Sequence, residues 1–143
     1  MGVNMLDAFN NSGVFHSLDE ADYANRCEEF FDTWVPNNIK LIDSFKQVCQ
    51  TIRFKHGRET YGGQAVAEIV RFHMMTFEAG SDFKMNNNSI ALLSRYIMLK
   101  YPQFEGFFRV RKINGIPEYR AHHIFKSAMF RAGQLPAAQA ELF

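Results

Sequence analysis

The stretch "FKMNNNSIALLSRYIMLKYPQFEGFFRVRKINGIPEYR", Phe83 to Arg120, decides how the fold is read. It places three asparagines, Asn86 to Asn88, directly in front of an apolar run. Either Asn87 or Asn88 is expected to cap a helix over Ser89 to Lys100, accepting a backbone N–H with its side-chain oxygen. The other asparagines either bond their own turn or project with Lys84 towards phosphates and base edges, beside a helix start whose amides attract anions. The helix must end by Tyr101, because Pro102 disfavours a helical residue before it. Ile90, Leu92, Leu93, Tyr96, Ile97, Met98 and Leu99 leave it apolar nearly all round, so burial or an interface is required. Any nucleic-acid contact is thereby pushed to its N-terminal end, with Arg95.

Beyond Pro102 the pattern changes. Phe108, Val110 and Lys112 alternate with Phe107, Arg109 and Arg111 as in a strand, and Asn114-Gly115 is a strong hairpin signal. Pro117 would place the second arm at an edge. A helix followed by a basic hairpin is the element order of a winged helix-turn-helix, and an all-helical domain with one incidental hairpin fits nearly as well.

Upstream, Leu18 to Trp34 carries Tyr23, Cys27, Phe30, Phe31 and Trp34 at helical spacing, with Asp19, Glu20 and Asp22 in the first turn where the dipole favours acids. Pro36 is expected to break this helix, and Asn38 to cap the next one. That second helix aligns Leu41, Phe45, Val48 and Ile52 and stops at Gly57. A third, over "QAVAEIVRFHMMTFEAG", aligns Val66, Ile69, Val70, His73 and Phe77, with His73 read as a core residue. A last helix spans "EYRAHHIFKSAMFR". The expected fold is therefore mainly α: a flexible segment over 1–17, one helical bundle over 18–131 with a β-hairpin near 107–120, winged helix-turn-helix-like, and a tail over 132–143.

Charge and composition bound the function. The 143 residues are 47% hydrophobic with 15 Phe, so the chain should fold, and no segment is apolar enough for a membrane span or signal peptide. A cytoplasmic location, in a host cell, is the expectation. Cys27 and Cys49 match no metal or redox spacing and read as buried thiols. Residues 1–38 hold one base and seven acids, a net −6, against 15 bases and eight acids from Ile39 onward, a net +7. Such asymmetry marks either a basic body with an acidic arm or a merely solvated helix face. From Arg109 to Arg131 six bases face only Glu118, and His122 and His123 could add charge below neutral pH.

The five histidines show no metal-binding spacing, and neither a nucleophile motif, a phosphate-binding loop nor a spaced carboxylate set occurs. A nuclease-like enzyme would need Glu59, Glu68 and Asp82 to converge. The expectation is a non-enzymatic protein without cofactor or metal. Glu68 and Arg71 read as an ordinary surface pair.

Gly57, Arg58 and Gly62, then Glu68 and Arg71, then Phe83, Lys84 and Asn86 to Asn88, with Arg95, Pro102, Phe107, Phe108 and Arg111, form a recurring pattern. It resembles a family of small, largely uncharacterised bacteriophage and prophage proteins, over Ile39 to Lys112. Where that family carries Trp after the helix-three arginine, this chain has Phe72. The resemblance implies a phage or prophage origin and brings no chemistry with it.

Two functions follow as expectations. In the first, Lys84, Asn86, Asn87, Arg95, Arg109, Arg111 and Lys112 contact DNA, mainly at phosphates. In the second, the acidic segment helps block a host protein such as a CRISPR or other defence nuclease. The apolar excess of the first and fourth helices also makes a homodimer reasonable.

Overall fold

A computed structural model describes residues 19–77, 86–110 and 112–135, with side chains outside 75–77. Five principal helices account for most of them: α1 (Glu20–Glu29), α2 (Ile39–Gln50), α3 (Gly63–Phe77), α4 (Asn87–Lys100) and α5 (Glu118–Arg131). The expected mainly α class holds. The segment 1–17 and the end of the tail lie outside the described residues.

Helix α1 is capped by Asp19, whose carboxylate accepts the Asp22 N–H at 2.8 Å. It does not break at Pro36. The helix widens into a π turn over Phe30–Trp34 and closes with one α turn, Val35–Asn37. In that wide turn the Val35 N–H already reaches back five residues to the Phe30 carbonyl, so the donor missing from Pro36 falls where the ordinary ladder has been left. The Asn37 and Asn38 side-chain amides then donate to the Thr33 and Trp34 carbonyls, each at 2.8 Å. Asn38 takes the N-cap position of α2 as expected, but its side chain makes no capping bond there and closes the first helix instead.

Helix α2 runs on through a second π turn, Thr51–Lys55, and leaves helical geometry at Gly57, whose φ of 68° suits glycine. Helix α3 packs on α2 and on α4, and α1 packs on α5. Helix α4 lies inside: Ile90, Leu92, Leu93, Ser94, Arg95, Tyr96 and Ile97 are all buried. Aromatic rings fill the space around it. Phe30, Phe31, Tyr96 and Phe125 form one group, and Phe45, Phe104, Phe107 and Phe108 another, with centroids 4.9–6.1 Å apart. Of the apolar residues that suggested a homodimer, Tyr23, Phe30, Phe31, Ile90, Leu92, Leu93, Tyr96 and Ile97 are buried within one chain, and Trp34, Met98 and Leu99 are half-buried. The start of the expected tail also belongs to the body, since Leu135 is buried and Gln134 accepts from Tyr96 and Lys100.

The hairpin does not form. Among the described residues there is no strand, only an isolated bridge between Ile113 and Ile116. Two physical reasons account for this. Phe107 and Phe108 are both buried, which ends the alternation a half-exposed strand requires. At the turn, Gly115 has φ +88° while Asn114 does not have positive φ, the pattern of a type II turn, which splays flanking strands where type I′ would align them. The second arm is also consumed: Pro117 precedes the first turn of α5, so "EYR" is helix. The winged helix-turn-helix expectation falls with the hairpin.

Candidate nucleic-acid interface

Folding first redistributes the charge. The guanidinium of Arg120 on α5 donates to both carboxylate oxygens of Glu20 on α1, at 2.6 and 3.2 Å, and Arg131 donates to Glu28 at 3.1 Å. Arg120 holds the Glu20 carboxyl below its ordinary pKa. The acidic N-terminal helix and the basic C-terminal helix therefore offset each other within the molecule. With Tyr23, Cys27, Phe30 and Phe31 buried, the expected acidic arm is a packed element of the body.

The predicted contact residues separate. Arg95 is 4% exposed and grips Glu118 with two hydrogen bonds, Nη2 to Oε1 at 2.6 Å and Nη1 to Oε2 at 3.0 Å. A guanidinium so placed is a structural charge with its donors committed inwards, and it is withdrawn from any surface contact. Asn86, not Asn87 or Asn88, is the helix cap, accepting the Ser89 N–H at 2.8 Å. Asn87 is exposed as the first residue of α4, and Arg109 and Lys112 are exposed in the segment between Phe108 and the Asn114-Gly115 turn. Lys84 and Arg111 lie outside the described residues. Burial, followed by the charges of Arg95 and Lys126, holds His122 below the ordinary imidazole pKa, so it adds charge only at lower pH than expected.

Sequence reasoning passed over a second group. The end of the α2 extension and the loop after it carry Arg53, Phe54, Lys55, His56 and Arg58 in six positions, "RFKHGR". Arg53 donates to the Glu59 carbonyl at 2.6 Å and lies over the Phe107 ring, and Arg58 lies over the Tyr61 ring. Phe54 is 57% exposed, its ring resting on Phe104 with centroids 6.0 Å apart. The Tyr61 N–H donates to the Phe107 carbonyl at 3.0 Å, which brings this loop beside the segment that leads to Arg109 two residues later. The available signal was the interleaving of cations with an aromatic, which a helix-tail reading absorbed.

None of Arg53, Lys55, Arg58, Arg109 and Lys112 has a carboxylate partner among the described residues. With Arg111, the stretches 53–61 and 105–112 carry six bases against the acids Glu59 and Glu105, a net +4. A groove of about 620 Å³ also opens between α2 and α3, with Val48, Ile52, Ile69, Val70 and Met74 along it and His56 and His73 among its polar residues. His73 is exposed here, not in the core: it continues the Val66–Val70 stripe but borders the open groove. Glu59 and Glu68 are exposed, and Glu68 approaches Arg71 at 3.7 Å as an ordinary surface pair; Asp82 lies outside the described residues. Among the described residues no group of three or more His, Cys, Asp or Glu side chains is placed to hold a metal ion, and no helix is long and apolar enough to cross a membrane.

No family model, curated protein or solved structure matches the chain.

Proposed function

We propose that the chain is a non-enzymatic, DNA-associated protein that contacts mainly phosphates. The observation that carries this reading is a group of cations, on two neighbouring segments, without a carboxylate partner among the described residues. Arg95, Arg120 and Arg131 are engaged by acids, whereas Arg53, Lys55, Arg58, Arg109 and Lys112 have no such partner among the described residues. A surface of uncompensated lysine and arginine binds polyanions by releasing their counterions. Of the residues expected from sequence, Arg109, Lys112 and Asn87 stay in this reading, and Arg95 leaves it. A phage or prophage origin and a host-cell cytoplasmic location accompany it.

Fluorescence anisotropy with labelled oligonucleotides across a salt series tests it. Binding at low salt is expected, with log Kobs falling linearly in log salt at a slope of roughly −2 to −4 for three to five phosphate contacts. The double variant Lys55→Ala/Arg58→Ala should flatten that slope by one to two units. Absence of binding at low salt, or binding without a salt slope, rejects the proposal. Recovery of one stoichiometric host protein by a chain that binds no DNA would favour the inhibitor reading instead.

A further inference from the structure

We infer that the nucleic acid this surface accepts is single-stranded, with a base stacked on Phe54. The inference rests on the nucleic-acid reading above and adds the form of the ligand. Phe54 is exposed to 57% and stands between Arg53 and Lys55 in the chain. Exposed aromatics are ordinary one at a time. Phe54 differs from the two more exposed aromatics in its setting. Phe72, at 66%, follows Arg71, which pairs with Glu68, and Tyr119, at 73%, stands between Glu118 and Arg120, both already committed to ion pairs.

The ring of Phe54 is supported from behind. Phe104, fully buried, meets it at 6.0 Å, and the Phe104 ring in turn packs on Phe107 at 5.9 Å. The Phe54 ring is therefore held against the core through Phe104 and is otherwise open to solvent, with Arg53 and Lys55 as its neighbours in the chain. That is the geometry of a stacking platform: a base lies on the ring while the neighbouring phosphates meet Arg53, Lys55 and Arg58. Arg53 is held for this role by a backbone carbonyl, that of Glu59, which leaves its charge uncompensated. A duplex keeps its bases stacked on one another and offers only phosphates here, so Phe54 adds nothing to duplex affinity. A single strand presents an open π-face, and stacking on one aromatic is sequence-tolerant because every base has such a face.

The test compares a labelled 12-nucleotide oligothymidylate with a 12-base-pair duplex at equal salt, using the full chain and Phe54→Ala, Phe54→Leu and Phe54→Trp. The single strand is expected to bind more tightly than the duplex. Phe54→Ala should weaken the single strand roughly 5- to 150-fold, the range for one lost stack, and leave duplex binding and both salt slopes unchanged. Phe54→Trp should retain single-strand affinity. Phe54→Leu keeps the apolar contact with Phe104, so its loss of affinity without loss of thermal stability separates stacking from folding. Ultraviolet crosslinking of the oligothymidylate should place the adduct within residues 53–61. Equal or tighter duplex binding, indifference of the single strand to all three variants, or an adduct elsewhere overturns the inference while the nucleic-acid reading stands. Binding to neither oligonucleotide at low salt removes that reading, and the inference with it.

Discussion

Arg95 in the middle of α4 and Glu118 at the start of α5 are joined by two hydrogen bonds, at 2.6 and 3.0 Å, with the arginine 4% exposed and the glutamate side chain 47% exposed. The pair fastens the central helix to the last one. It also places an acid in the first turn of α5, where the helix dipole favours negative charge.

Because one partner is buried and the other half-exposed, the two sides of this pair should respond unequally. Glu118→Ala leaves a buried guanidinium uncompensated and is expected to cost about 2–3 kcal/mol, less than the ~3–5 of a fully buried pair because water reaches the glutamate side. Arg95→Met removes the buried charge and lets Glu118 return to solvent, at a cost of about 1 kcal/mol. Urea unfolding of both variants measures this. Equal losses, or the reverse order, would show that the guanidinium is not the desolvated member.

Asn86 and Asn87 give a sharper contrast than three adjacent asparagines suggest. Asn86→Ala removes the bond to the Ser89 N–H and should cost about 1 kcal/mol, whereas Asn87→Ala should stay within about 0.5 kcal/mol. Thermal unfolding of the two single variants decides between them; a neutral Asn86→Ala would mean that the cap contributes nothing.

Gly63 is required by packing and not by backbone conformation. A Cβ built there would stand 2.6 Å from Ser94 Oγ and 3.2 Å from Ile90 Cγ2, and that hydroxyl is already tied to the Ile90 carbonyl at 2.8 Å. Gly63→Ala is expected to cost about 1–3 kcal/mol through overpacking between α3 and α4. Adding Ser94→Ala should restore part of the loss. A double variant no more stable than the single one would place the strain elsewhere.

Burial pushes the Cys27 and Cys49 thiols from an ordinary 9.0 up to about 12, and pushes the Tyr23 hydroxyl well above its usual value. The native thiols keep protons that the unfolded chain has lost. Stability from this source is therefore complete below pH 9 and falls as pH rises towards about 12, by roughly 1.4 kcal/mol per pH unit for each thiol. Cys27→Ala and Cys49→Ala should each flatten the decline of unfolding free energy over that window. In the native protein at pH 8 neither thiol should react with a thiol-specific disulfide reagent within minutes, and both should react once unfolded. Rapid native reaction would contradict their burial.

What the sequence determined by itself was local. Helical periodicity placed the helices, gave the last one its bounds from Glu118 to Arg131, and put the stop at Gly57, because spacing and glycine's left-handed tolerance are properties of adjacent residues. The apolar run from Ile90 likewise required burial, and Ile90, Leu92, Leu93, Tyr96 and Ile97 are buried. Only the tertiary structure decided the rest. Arg95 read as a surface cation until a carboxylate 23 residues on closed over it, and the net −6 of the first 38 residues read as an arm until Glu20 met Arg120, 100 residues away. The Phe107 to Lys112 strand pattern gave way to burial of two neighbouring phenylalanines. A chain segment carries its own periodicity, but the partner that neutralises a charge or covers a ring comes from elsewhere in the fold, and that is where the candidate site changed from Arg95 to the cations around Phe54.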